Sequence, residues 1–276
     1  MTSEIGKRRL PIGIQTFRTL RKDGCHYVDK TGFALDLIRQ GTHYFLSRPR
    51  RFGKSLFVDT LKELFEGSRE LFHGLEAYDR WDWSVRYPVV RLEFGRGDYA
   101  QAGHLHTNLM AQIDSIDRLA GLRSACDSGP ERLARLLEML RLRAGRRVVV
   151  LVDEYDKPIL DALHKPDIAK ANRDYLQGLY SVIKSCDAHV RFCLLTGVSK
   201  FSKVNLFSGL NNLRDITLTP RYSSICGYSE RDLDAVFAPE LDGLDRDLVR
   251  DWYNGYSWGG LPMPHNRDLT TAPLVW

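Results

Sequence analysis

Short apolar runs alternate along this chain with longer stretches in which apolar residues return every third or fourth position. That alternation predicts an α/β fold with a mainly parallel central sheet covered by helices on both faces. His43–Ser47 (HYFLS) reads as a strand that runs into a basic loop. Leu56, Phe57, Leu61, Leu64 and Phe65 then mark a helix ending near Gly67. Residues 88–94 (PVVRLEF) form a second strand, followed by one helix on Leu105, Leu109, Ile113 and Ile116 and another on Leu133, Leu136, Leu137 and Leu140. Residues 148–152 are apolar at every position, as expected for a central strand buried on both faces. Ile168, Tyr175, Leu176, Leu179, Val182 and Ile183 define a long amphipathic helix; residues 190–195 (VRFCLL) are the next strand, and residues 215–218 (DITL) a weaker one.

Beyond Tyr228 the pattern changes. Ser229 and Asp232 have the spacing of a helix-entry capping box, and Leu248, Val249 and Trp252 continue a helical pattern. The expected organisation is a core over residues 1–228, the start of a helical appendage over 229–260, and a divergent tail over 261–276. That tail has three prolines and no periodicity, and reads as disordered.

The chain has 276 residues, 43% of them apolar and 27% charged, an ordinary globular mixture large enough to bury a core without cross-links. No apolar run approaches bilayer length. Lys7, Arg8 and Arg9 are followed by Pro11 and Gln15 rather than by a long apolar segment, so no secretory signal is read. Five cysteines, none in a C-x-x-C pair, argue against a disulfide framework or a zinc ribbon. Idle thiols in a reducing cytoplasm are the expectation. The formal net charge is +5, and its placement matters more than its size. Residues 1–66 carry thirteen Lys and Arg against seven Asp and Glu, which leaves the other 210 residues near neutrality. Positive charge concentrated around Arg48, Arg50, Arg51 and Lys54 points to a phosphate-bearing partner, a nucleotide or a nucleic-acid backbone.

Gly53-Lys54-Ser55 stands at a strand–loop–helix junction. In a phosphate-binding loop the backbone N–H groups and the helix N-terminus face the phosphates, the Lys neutralises outer oxygens, and the Ser hydroxyl meets Mg²⁺. The usual G-x-x-x-x-G-K-S spacing has glycine where this chain has Arg48. The nucleotide-binding segment is therefore Arg48, Pro49, Arg50, Arg51, Phe52, Gly53, Lys54, Ser55 and Leu56. About 100 residues after Lys54, the strand at 148–152 ends in Asp153-Glu154. An Asp at the end of such a strand holds Mg²⁺, directly or through water, and an adjacent Glu is the expected general base. Ser55 and Asp153 are thus the candidate metal residues; Glu154 and Lys54 are the candidate catalytic ones. Thr196 and, beyond it, Lys200 follow the next strand, where a polar group can sense the terminal phosphate.

At this point the chain resembles a family. The runs YVDKTGF (27–33), FLSRPRRFGKSLF (45–57), WDWS-x-x-YPVVRL (81–92), VDEYDKPI (152–159), LTGVSKFSKV-x-LFSGLNNL (195–213), ICGYSE (225–230) and WYNGY (252–256) are similar to those of the bacterial AAA-ATPase-like family. The resemblance covers roughly residues 8–260. It implies a three-layer P-loop NTPase sandwich, ATP and Mg²⁺ as ligands, and Lys54, Ser55, Asp153 and Glu154 as nucleotide and metal residues. It also makes Arg48 the family's own variant. Members often carry a C-terminal nuclease-like domain; here residues 261–276 leave the family pattern, so a shortened gene product is expected.

Other signals carry less. Glu154-Tyr155-Asp156-Lys157 loosely has the form of a nuclease acid–x–Lys pair, yet lacks an earlier Asp on a paired strand. His104 and His106 are two apart, so on a helix they face different ways. Trp81 and Trp83 read as core anchors. Arg214 or Arg221 could reach a neighbour's γ-phosphate. The expected function is ATP binding with Mg²⁺-dependent hydrolysis. One alternative is a nucleotide-dependent binding module or switch with little hydrolysis. The other is a DNA-associated ATPase using Arg48, Arg50 and Arg51, with a nucleic-acid or protein partner.

Overall fold

The computed structural model describes residues 9–199, 212–253 and 258. Its centre is a sheet of five parallel strands in the order β2-β3-β4-β1-β5. These are β1 (His43–Ser47), β2 (Val89–Glu93), β3 (Val148–Asp153), β4 (Val190–Gly197) and β5 (Arg214–Asp215). Strands at the centre are apolar throughout because both faces are covered: every residue of β1 and β3 is buried.

Successive side chains of a strand point to opposite faces, and here they sort into two cores. Val149 and Leu151 of β3, Phe192 and Leu194 of β4, and Tyr44 and Leu46 of β1 pack on one face. That face is covered by α1 (Phe17–Lys22), α2 (Thr31–Gln40), α3 (Lys54–Glu66) and α4 (Glu76–Arg80). Val148, Val150 and Val152, with Cys193, Leu195 and Phe45, pack on the other. There the cover is α5 (His104–Ala120), α6 (Gly129–Ala144) and α8 (Pro166–Ser185), with the short α7 (Lys157–Leu160) after β3. The result is the helix–sheet–helix sandwich of a P-loop NTPase.

After Tyr228 come α9 (Glu230–Val236), α10 (Ala238–Leu241) and α11 (Arg246–Tyr253). Ser229 caps α9 with the reciprocal box that its spacing to Asp232 announces. Leu233, Phe237, Leu241 and Val249 bury themselves with Val28 and Tyr228 in a third, smaller core. A hydrogen bond between His26 and Glu240 (2.7 Å) and an ion pair between Lys30 and Asp232 (2.8 Å) join these helices to the segment before α2.

The last strand is shorter and earlier than its apolar pattern predicts. It pairs with β1 only at Tyr44 and Phe45. The carboxylate of Asp215 accepts the N–H of Thr217 at 2.9 Å, which turns the chain out of the sheet and leaves Leu218 63% exposed. Trp81 and Trp83 are core anchors, as expected, edge-on to Phe65 and tilted on Phe72. The five cysteines are free thiols, four of them buried. Among the described residues no helix is long and apolar enough to cross a membrane. Residues 261–276, expected to be a disordered tail, lie outside the described residues.

Candidate functional site

In an open parallel sheet, ligands bind in the crevice beyond the carboxyl ends of the strands. Register brings the relevant ends together: Ser47 of β1 pairs with Gly197 of β4, Val152 of β3 with Leu195 of β4, and Asp153 with Glu93 of β2. Strand β4 thus lies between the strand that feeds the basic loop and the strand that ends in the acidic pair.

The loop leaves β1 at Arg48 and enters α3 at Lys54. Two residues in it have left-handed backbone, Arg51 (φ 69°) and Gly53 (φ 86°). Gly53 is the N-cap of α3. A β-carbon there meets the steric cost that glycine avoids. Arg48, which stands where the usual spacing has glycine, is not among the left-handed residues, so that position does not require glycine here.

Lys54 is buried, and its ammonium donates to the carbonyl oxygens of Arg48 and Pro49, both at 2.9 Å. Burial pulls the amine below the usual lysine range, and the Cys226 thiol and the carboxylates of Asp153, Glu154 and Asp156 oppose that pull. The loop cation and the acids after β3 therefore feel one another's charge, without an ion pair between them among the described residues. Ser55, the second residue of α3, is half-buried.

Asp153 is 1% exposed. Its Oδ1 accepts the hydroxyl of Thr196 at 2.6 Å and the N–H of Glu154 at 3.1 Å. Glu154 is the second non-glycine residue with left-handed backbone (φ 55°), a conformation that costs an ordinary side chain about 1–2 kcal/mol. Backbone outliers of this kind cluster at functional sites. Its carboxylate lies against Gly95, just past β2, where a β-carbon would stand 3.3 Å from the carboxylate carbon. Burial raises the Glu154 carboxyl above its ordinary range and the charge of Asp153 adds to this, while Lys54 and Arg50 pull it back.

Four expectations change in detail. The Arg48 side chain is not a cation offered to phosphate or DNA: it is 1% exposed, and its guanidinium donates to the carbonyl oxygens of Ser47 (2.9 Å), Thr217 (2.8 Å) and Tyr222 (3.0 Å). The side chains of Phe52 and Leu56 turn into the core, so those residues offer the site only their backbone. Thr196 points its hydroxyl at Asp153 rather than outward. Arg221 pairs with Asp36 at 2.6 Å, on its own chain. Arg50 and Arg51 remain exposed on the loop. Lys200 lies outside the described residues.

Sequence reasoning weighed Asp156 only as a nuclease acid, and missed its place here. Asp156 is 1% exposed and accepts the N–H groups of Val198 (2.9 Å) and Ser199 (2.6 Å), so it ties the turn after β3 to the turn after β4. Burial raises its carboxyl, and those N–H groups and the Lys54 charge oppose the rise. An acid three residues past the end of a buried strand was the available signal. Lys157 is occupied with Asp161 and the carbonyl of Gly97, which leaves no acid–x–Lys pair. His104 is exposed, whereas His106 meets the Tyr175 hydroxyl at 2.9 Å. Among the described residues no group of three or more His, Cys, Asp or Glu is arranged to hold a metal. The available donors, the Ser55 hydroxyl and the Asp153 carboxylate, are hard oxygens. They suit an Mg²⁺ ion that takes most of its shell from phosphate and water.

The model of a family described as Predicted AAA-ATPase matches residues 11–207. A protein of Azotobacter chroococcum mcd 1, described as an uncharacterized protein in the vnfD 5' region, is 59% identical over 266 residues, covering 96% of this chain and 52% of that protein. The chain therefore spans about half the length of that relative. No solved structure matches.

Proposed function

The chain belongs to the predicted AAA-ATPase family, and from that premise we propose that it binds ATP and hydrolyses it with Mg²⁺. One observation carries the reading: the sheet sets the end of β1, whose loop leads to the buried Lys54 at the start of α3, one strand away from the end of β3, which carries Asp153 and leads to Glu154 and Asp156. The Lys54 cation meets the phosphates, and Mg²⁺ would offset the surplus negative charge of the carboxylates.

In this reading Lys54 exchanges the carbonyl oxygens of Arg48 and Pro49 for phosphate oxygens, and the N–H groups at the start of α3 complete the cradle. Ser55 and Asp153 hold Mg²⁺, which neutralises charge on the phosphates when bound. Thr196 keeps the Asp153 carboxylate aimed. Glu154, strained and seated against Gly95, orients water and accepts its proton; a carboxyl raised by burial is a better base than an exposed one. Arg50 lends positive field to the outer phosphates.

Turnover and ATP binding of Lys54→Ala and Glu154→Gln test this. Lys54→Ala loses most binding, whereas Glu154→Gln binds ATP and does not turn it over. Hydrolysis at the wild-type rate in both variants defeats the assignment. One observation favours a second reading, the switch. Lys54 is seated on loop carbonyls, and Gly227 donates to the Phe52 carbonyl at 2.8 Å, so a ligand that moves the loop also pulls on the segment before α9. ATP-dependent stabilisation without phosphate release would select that reading.

A further inference from the structure

Arg48 is the largest fully buried side chain in the described residues, yet it occupies the first position of the phosphate loop, where the usual spacing has glycine. Its guanidinium is held in its plane by the carbonyl oxygens of Ser47, Thr217 and Tyr222. Its face is covered by Trp258, whose ring centroid is 4.4 Å from the guanidinium carbon. The same indole meets Phe52, four residues along the loop, edge-on at 5.2 Å. The backbone is tied as well. Arg48 N donates to the Gly197 carbonyl (3.1 Å), Ser47 N to the Thr217 hydroxyl (3.0 Å), and the carbonyl of Arg48 itself accepts the Lys54 ammonium.

We propose that Arg48 is a positioning residue for the phosphate loop. Its planar fork fastens the loop's first peptide to the 217–222 turn and to Trp258, and so sets the carbonyl that seats Lys54. A glycine at this position gives a loop freedom to curl; this chain replaces that freedom with a rivet. Arginine suits the task because one planar group satisfies several carbonyl oxygens at its edge while stacking an aromatic ring on its face. An ammonium offers neither the fork nor the flat face. The consequence is that the seat of Lys54 depends on a segment more than 160 residues away in sequence. Closing or opening that segment then tightens or loosens nucleotide binding.

The inference rests on the ATP reading above, and its test separates the two. Arg48→Gly restores the usual loop spacing, so a loop that merely tolerates arginine gains or keeps affinity in this variant. The rivet predicts ATP binding weaker by about tenfold or more, the loss of one charge-assisted contact or its equivalent. Arg48→Lys falls between Arg48→Gly and wild type, and Trp258→Phe, which keeps an aromatic face, stays closer to wild type than Trp258→Ala. Two readouts need no nucleotide. In Arg48→Gly, hydrogen exchange rises in the peptide spanning residues 47–57 and stays unchanged in the one spanning 148–153. In protein labelled with 5-fluorotryptophan, the ¹⁹F resonance missing from Trp258→Phe shifts toward a solvent-exposed position in Arg48→Gly. Arg48→Gly with wild-type affinity, loop exchange and Trp258 resonance overturns the proposal. If the wild-type protein binds no ATP, the ATP reading fails by itself, and unchanged exchange and resonance in Arg48→Gly still decide against the rivet.

Discussion

Thr196→Val isolates one contact of the site almost without changing shape. The Thr196 side chain is fully buried and its hydroxyl donates to Asp153 at 2.6 Å, within the short range of charge-assisted bonds. Valine replaces the hydroxyl with a methyl group of similar size, so no cavity opens and the lost bond dominates. A hydrogen bond to a charged group contributes about 1.5–3 kcal/mol. For a chain of this length each kcal/mol moves the melting temperature by about 2–4 °C, so Thr196→Val should melt roughly 3–12 °C below wild type. Thr196→Ser keeps the donor and should recover most of the loss. A thermal-melt double-mutant cycle with Asp153→Ala completes the assay, with an expected coupling of about 0.5–3 kcal/mol between the two positions. A Thr196→Val protein that melts within about 1 °C of wild type refutes the reasoning, since even the smallest such bond moves it further. So does an equal cost with and without Asp153, for Thr196 would then act on something else.

Glu154 gives a pH dependence with a definite sign. Its carboxyl is raised in the folded chain, first by burial and then by the charge of Asp153. Between the unfolded value of about 4.3 and the higher folded value the native state holds more protons, so stability falls as pH rises through that window. Glu154→Gln escapes the loss, and urea unfolding from pH 4 upward should show its advantage over wild type growing; a constant difference contradicts the sign. Gly95→Ala brings a β-carbon within 3.3 Å of the Glu154 carboxylate carbon and should cut turnover several-fold with ATP affinity unchanged, as steady-state kinetics beside calorimetric titration will tell. Gly53→Ala forces a side chain into a left-handed N-cap (φ 86°) and should cost about 1–2 kcal/mol in a denaturant melt while weakening ATP binding.

The central sheet was legible because its strands are apolar on both faces. The runs at residues 43–47, 88–94, 148–152 and 190–195 agree with β1 to β4 within a residue or two, and α3, α5, α6 and α8 show their amphipathic spacing plainly. The fifth strand was misjudged because Asp215 spends its carboxylate on the N–H of Thr217, a local turn that hydrophobicity does not register. Helices α1, α2 and α4 carry mixed patterns that only their packing resolves: α1 meets α3, α2 meets α4, and all three bury residues in the core that α3 also lines. In the candidate site, spacing identified Lys54, Ser55, Asp153 and Glu154 as a group. It did not tell which way a side chain turns. Arg48 read as one more loop cation, and only the carbonyls of Thr217 and Tyr222, contributed from far along the chain, disclose that it is interior. Thr196 and Asp156 likewise owe their partners to the pairing of β3 with β4, which no spacing along the chain records.

The central claim is that Lys54 and the acids beyond β3 serve one nucleotide triphosphate. Thermal melts of the wild-type chain and of Lys54→Ala, each titrated with ATP in the presence and absence of Mg²⁺, address it most directly. A ligand that binds only the folded state stabilises it by about 2.7 kcal/mol at a hundred times its dissociation constant. The account predicts a rise of several degrees for wild type, larger with Mg²⁺, and little or none for Lys54→Ala. An equal rise in both proteins, or none in wild type at millimolar ATP, contradicts it.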